Sequence, residues 1–97
     1  MTAQLAFDLP TQAEPALNPT TRLAWQAILD YEADHYSVPW MLWDALHYSR
    51  LDGLLGRHAG GAFIKELSEG KWIIECSNRR SNDPKARGSR RLTWRLA

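Results

Sequence analysis

The chain has a single cysteine, Cys76, so it cannot form an internal disulfide. It has no Cys-x-x-Cys or His-Glu-x-x-His pattern, and His35, His47, His58 and Cys76 do not fall at metal-ligand spacings. Gly53, Gly56, Gly60 and Gly61 lack the lysine-serine ending of a phosphate-binding loop. Asp34, His35 and Ser37 are hydrolase residue types, but no strand-turn-helix nucleophile signature surrounds them. These absences argue against an enzyme and against a cofactor. No apolar run approaches the roughly 18 to 20 residues that cross a bilayer, and the basic and apolar regions of a secretion leader are missing. The expected compartment is the cytoplasm.

Five tryptophans are present in 97 residues, and each can bury on the order of 200 Å². Together with a hydrophobic content of 44%, they support one small aromatic-rich core. The net charge of +1 conceals a segregation. Residues 1–50 hold two bases against six acids (−4), and residues 51–97 hold ten against five (+5). Between Ser77 and Arg95 there are seven bases and one acid, Asp83. Charge concentrated in this way is the electrostatic footprint of a polyanion-binding surface.

Residues 1–18 read as a flexible N-terminal arm, interrupted by Pro10 and Pro15, with the folded domain over residues 19–97. Asn18-Pro19 predicts a capped helix start, and Leu23, Ala24, Ala27, Ile28, Tyr31 and His35 mark an amphipathic stripe to about Asp34. Asp30, Glu32 and Asp34 lie off this stripe and read as a solvated face. Ser37-Val38-Pro39 predicts the start of a second helix, with Trp40, Leu42, Trp43, Ala45, Leu46 and Tyr48 apolar around much of its circumference. Asp44 and His47, three apart, could hydrogen-bond to each other. Residues 50–56, with two glycines, form the turn into a third helix beginning near His58. There Gly60 and Gly61 permit either close packing on the second helix or approach to a phosphate.

A glycine stop at Gly70 and the alternation in Trp72–Cys76 and Arg91–Leu96 predict a hairpin. Its apolar face would bury Trp72, Ile74, Trp94 and Leu96, and residues 78–89 would join the strands. The expected core is Leu23, Ile28, Tyr31, Trp40, Trp43, Leu46, Phe63, Leu67, Trp72, Ile74 and Trp94. A short extra strand is expected near Tyr36 to Val38.

The junction Glu66-Leu67-Ser68-Glu69-Gly70-Lys71-Trp72-Ile73 resembles that of winged helix-turn-helix proteins, where a recognition helix runs into the first wing strand. The resemblance extends over roughly residues 20 to 96. It implies a small α+β domain of three helices and a C-terminal two-stranded β-hairpin wing. It also implies binding of double-stranded DNA as a small regulator or accessory factor, and by analogy a phage or mobile-element protein. In that reading the third helix presents His58, Lys65 and either Arg57 or Ser68 to the major groove. The wing then brings Arg79, Arg80, Lys85, Arg87, Arg90 and Arg91 to phosphates or to the minor groove.

In the arm, Gln4-Leu5-Ala6-Phe7-Asp8-Leu9 resembles the clamp-binding peptides of bacterial replication and repair proteins. That implies a protein partner held through Gln4, Leu5, Phe7 and Leu9. The alternative function is accordingly a protein-interaction module or an inhibitor of a nucleic-acid enzyme, as a monomer or homodimer.

Overall fold

The computed structural model describes residues 15–36 and 38–97, with the side chains of Arg57 and Ala86 outside the description. Three helices are followed by a two-stranded antiparallel sheet at the C-terminus, an α+β layout consistent with a small winged helix. Helix α1 spans Pro19–Asp34, α2 Leu42–Tyr48 and α3 Arg57–Glu69. Strand β1 spans Ile73–Arg80 and β2 Arg90–Leu96, with a 3₁₀ turn at Pro84–Ala86 between them. No helix among the described residues is long and apolar enough to cross a membrane.

Helix α1 starts where Asn18-Pro19 predicts. The Asn18 side chain accepts from Thr21 N at 2.8 Å, and the Thr21 hydroxyl accepts from Asn18 N at 3.1 Å. Leu17, placed with the arm by sequence, packs against the core. The buried face of α1 is Ala24, Trp25, Ala27 and Ile28, while Leu23 is 51% exposed. Ala24, Ala27 and Ile28 of the expected stripe are thus buried and Tyr31 packs beside them, whereas Leu23 is not in the core. Trp25 takes the core position and meets Trp72 edge-on, with ring centroids 6.2 Å apart.

Helix α2 begins later than Ser37-Pro39 suggests, because Trp40 is drawn into the sheet. Its N–H donates to Trp94 O at 2.9 Å, and Trp94 N–H donates back to Trp40 O at 2.8 Å. This one-residue bridge takes the place of the strand expected near Tyr36 to Val38, and Ser37 lies outside the described residues. The helix cap is instead the Asp44 carboxylate, which accepts from Met41 N at 2.9 Å. Asp44 therefore does not pair with His47, which bonds Asp52 at 2.8 Å.

Glu32 is not part of a solvated face. One of its carboxylate oxygens accepts from Trp40 Nε1 at 2.8 Å and from Leu96 N at 2.7 Å, joining α1 to the bridging Trp40 and to the end of β2. Bonds to a charged acceptor contribute roughly 1.5–3 kcal/mol each when sheltered.

Glycine decides two contacts. A Cβ on Gly60 would come within 3.3 Å of Leu42 Cδ2, so this glycine serves the packing of α3 on α2. At Gly70 a Cβ would come within 2.8 Å of Trp72 Cδ1, so the indole can fold over the helix end only while the residue is glycine.

The hairpin register pairs Ile73 with Leu96, Ile74 with Arg95 and Glu75 with Trp94. Ile73 is buried at 2% and Ile74 is 39% exposed, the reverse of the alternation expected from sequence. Lys71, in the left-handed region at φ 63, turns the chain between helix and strand and resets which side chain faces inward. A bulge follows, with Cys76 and Ser77 facing Thr93 between the Glu75 and Asn78 pairings. The buried Thr93 hydroxyl is satisfied there, accepting from Ser77 N at 3.1 Å and donating to Ser77 O at 2.7 Å.

Candidate nucleic-acid interface

Beyond the bulge the two strands present arginine to arginine. Arg79 lies opposite Arg91 and Arg80 opposite Arg90. Opposed like charges in an antiparallel pair are destabilising, by up to about 1 kcal/mol per pair. Two consecutive pairs have different local relief. On one row the Arg79 guanidinium reaches the Asp44 carboxylate at 2.6 Å. On the other, Arg90 donates to Asn78 Oδ1 at 3.2 Å and to Asn78 O at 3.0 Å, neutral partners that leave its charge intact.

Strand β1 runs three residues further than the sequence pattern suggests, through Arg80, so residues 81–89 form the connection. Asp83 caps the 3₁₀ turn by accepting from Lys85 N at 2.9 Å, which ties up the single acid of the segment. Ser81 N donates to Ser89 O at 3.0 Å and closes the neck of the tip. Arg87 and Gly88 both take positive φ (52 and 78), which reverses the chain. Arg80 lies across this turn, its guanidinium 3.3 Å from the position a Cβ on Gly88 would occupy.

Arg80, Lys85, Arg87, Arg90 and Arg91 are exposed, as are His58 and Lys65 on α3. The hairpin tip therefore brings five of the expected residues together on one projecting element. Arg79 is half-buried and committed to Asp44. Of Arg57 only the backbone is described, as the first residue of α3, and Gln4, Leu5, Phe7 and Leu9 lie outside the described residues. On α3 the exposed face carries His58, Ala59, Gly61, Ala62 and Lys65, then Glu66 and Glu69. Its first half carries small residues beside His58, Lys65 follows, and its last turn is acidic. Glu75 stands at the base of the hairpin opposite Trp94, away from the arginine rows. An open groove of about 1040 Å³ separates α2 and the start of α3 from the hairpin, with Gly60, Gly61 and Ile64 on one wall and Lys85, Arg91 and Leu92 on the other.

Comparisons leave the chemistry of this surface to its own geometry. No family model, no curated protein and no solved structure matches this chain. Among the described residues, no group of three or more His, Cys, Asp or Glu side chains is arranged to hold a metal ion.

Sequence reasoning missed Asp44. It is buried at the start of α2, with a side chain 6% exposed, and receives Met41 N, Arg79 and the Asn82 amide, the last at 3.4 Å. A carboxylate inside an apolar helix was the available signal, since an acid there requires a partner. Separating a buried pair costs up to about 3 kcal/mol when one partner stays partly hydrated. One phosphate contact at 0.1 M salt contributes about 1 kcal/mol. Arg79 is thereby held in place.

Asp44 also acts on Tyr31. Burial first, and the Asp44 carboxylate second, hold the Tyr31 phenol above its ordinary value of 10.0, against a smaller opposite effect of Arg79. The folded state thus favours the neutral phenol. Its contribution is fully present below pH 10 and is lost as pH rises through the raised folded value. Thermal unfolding of Tyr31→Phe is expected to fall less steeply with pH above about 10 than that of the parent chain. Identical alkaline slopes for the two proteins would remove Tyr31 as a cause.

Proposed function

We propose that the chain is a non-catalytic duplex-DNA-binding protein, a small regulator or accessory factor, that grips phosphates with the tip of its hairpin. The observation that carries this reading is the cluster of exposed cations Arg80, Lys85, Arg87, Arg90 and Arg91 on the distal hairpin, where the one acid of residues 77–95, Asp83, serves as a cap. The fold tolerates Arg80 opposite Arg90 at a cost in stability, and a polyanion removes that cost. Helix α3 supplies a second surface, where small residues Ala59, Gly61 and Ala62 admit a close groove approach beside His58 and Lys65. The acidic last turn of α3 limits how much base recognition that helix contributes. Phosphate contact dominates, and binding is largely independent of sequence.

The test compares two unrelated duplexes of equal length by fluorescence anisotropy at low salt. Affinities within a few-fold of each other support the reading, and the absence of binding to both by folded protein sinks it. One observation favours a second reading, a protein-interaction module. Glu66 and Glu69 stand exposed on α3, where a DNA-facing helix would carry bases. Selective binding of a protein partner by a chain indifferent to DNA would establish that alternative.

A further inference from the structure

We propose that Arg79 is a positioning residue, tethered to Asp44, and makes no phosphate contact itself. This inference rests on the duplex-binding reading and deepens it. Among the described residues, the distal hairpin reaches the helices through few polar links. At its base, Trp40 and Trp94 exchange backbone bonds and Glu32 holds Leu96. Toward the tip, the links from the arginine rows and the connection to α2 are those to Asp44, from Arg79 at 2.6 Å and from the Asn82 amide at 3.4 Å. Asp44 is itself fixed by Met41 N at the first turn of α2. The ion pair thus joins the tip to the helix that packs against α3 through Leu42 and Gly60. It sets the pitch of the arginine rows relative to α3 and the groove between them.

The division of labour follows from burial. Arg79 side-chain exposure is 37% against 6% for Asp44, and its departure would leave a buried carboxylate with neutral donors alone. Arg91, directly opposite and exposed, has no such restraint among the described residues and remains available to a phosphate. Arginines that look equivalent in sequence therefore divide into one that aims the element and others that bind.

The experiment measures mixed-sequence duplex affinity for the parent chain, Arg79→Gln, Asp44→Asn, the double variant and Arg91→Ala. Salt is stepped from about 50 to 200 mM, at a temperature where circular dichroism shows each protein fully folded. Removing a phosphate contact lowers the slope of log affinity against log salt by about 0.9, the result expected for Arg91→Ala. Arg79→Gln and Asp44→Asn should each weaken binding about tenfold, the scale of reordering a freed segment, with the slope unchanged. The double variant should be no weaker than either single one. A slope loss of about 0.9 in Arg79→Gln would make it a phosphate contact and overturn the proposal. Unchanged affinity in both folded variants would reduce the pair to a stability element and overturn it equally. Hydrogen exchange supplies a readout independent of DNA. Amides of residues 81–89 should exchange faster in both single variants while α1 stays protected. If the parent chain does not bind DNA, the duplex reading falls, and unchanged exchange at the tip would remove the tether as well.

Discussion

Replacing Trp40 by alanine is expected to cost about 3–5 kcal/mol and to unfold much of the protein at ordinary temperatures. A domain of 97 residues has roughly 5–15 kcal/mol of total stability, so this loss is a large share. The magnitude follows from where the residue stands. Trp40 is fully buried, with Ile28, Phe63, Leu67 and Ile73 in the same core. Its backbone bridges to Trp94, and its indole N–H donates to Glu32, which also holds Leu96. One residue thereby links α1 and β2 at the start of α2. Alanine keeps the backbone bridge but opens a cavity and leaves the Glu32 carboxylate short of a donor. Trp40→Phe separates the two effects, since it retains most of the volume and should cost about 1–3 kcal/mol for the unmet polar group. Urea unfolding followed by circular dichroism measures both. A loss below about 1 kcal/mol for Trp40→Ala would mean that the bridge is not central to the fold.

The second large effect is on binding. Converting Arg80, Lys85, Arg87 and Arg91 together to alanine should weaken duplex binding by about 10³ to 10⁴-fold at 0.1 M salt, since each phosphate contact contributes about 0.9 log unit there. The same change should leave the fold intact. Arg91 opposes Arg79 across the strands, so its removal relieves a like-charge pair, and the melting temperature should hold or rise slightly. Loss of affinity together with unimpaired stability separates this result from simple unfolding. A variant that still binds within tenfold of the parent would place the DNA contact elsewhere, with α3 the first surface to test.

Much of the architecture was legible in the chain because it is local. Asn18-Pro19 marks a helix start through its own side-chain bonds, and Gly70 marks a helix end. Periodicity then supplied the number and order of elements. Phase was harder. Leu23 and Trp25 are both large and apolar, and the choice between them depends on Trp72, far along the chain. Ile73 and Ile74 are chemically alike, and the left-handed turn at Lys71 decides which is buried.

Long-range pairings were not legible at all. Glu32 with Leu96 spans 64 positions and Asp44 with Arg79 spans 35, so no local pattern distinguishes either acid from a solvated one. The candidate site shows the same division. Composition revealed the basic stretch from Ser77 to Arg95 without separating Arg79 from its neighbours. That separation came from the register and from a carboxylate on a different element.

The central claim is that exposed cations at the hairpin tip bind phosphates, and the salt dependence of duplex affinity tests it most directly. With Arg80, Lys85, Arg87, Arg90 and Arg91 as contacts, log affinity against log salt between about 50 and 200 mM should be linear with a slope of about −4 to −5. A slope near zero, or no binding at the lowest salt by a protein shown to be folded, would contradict the account.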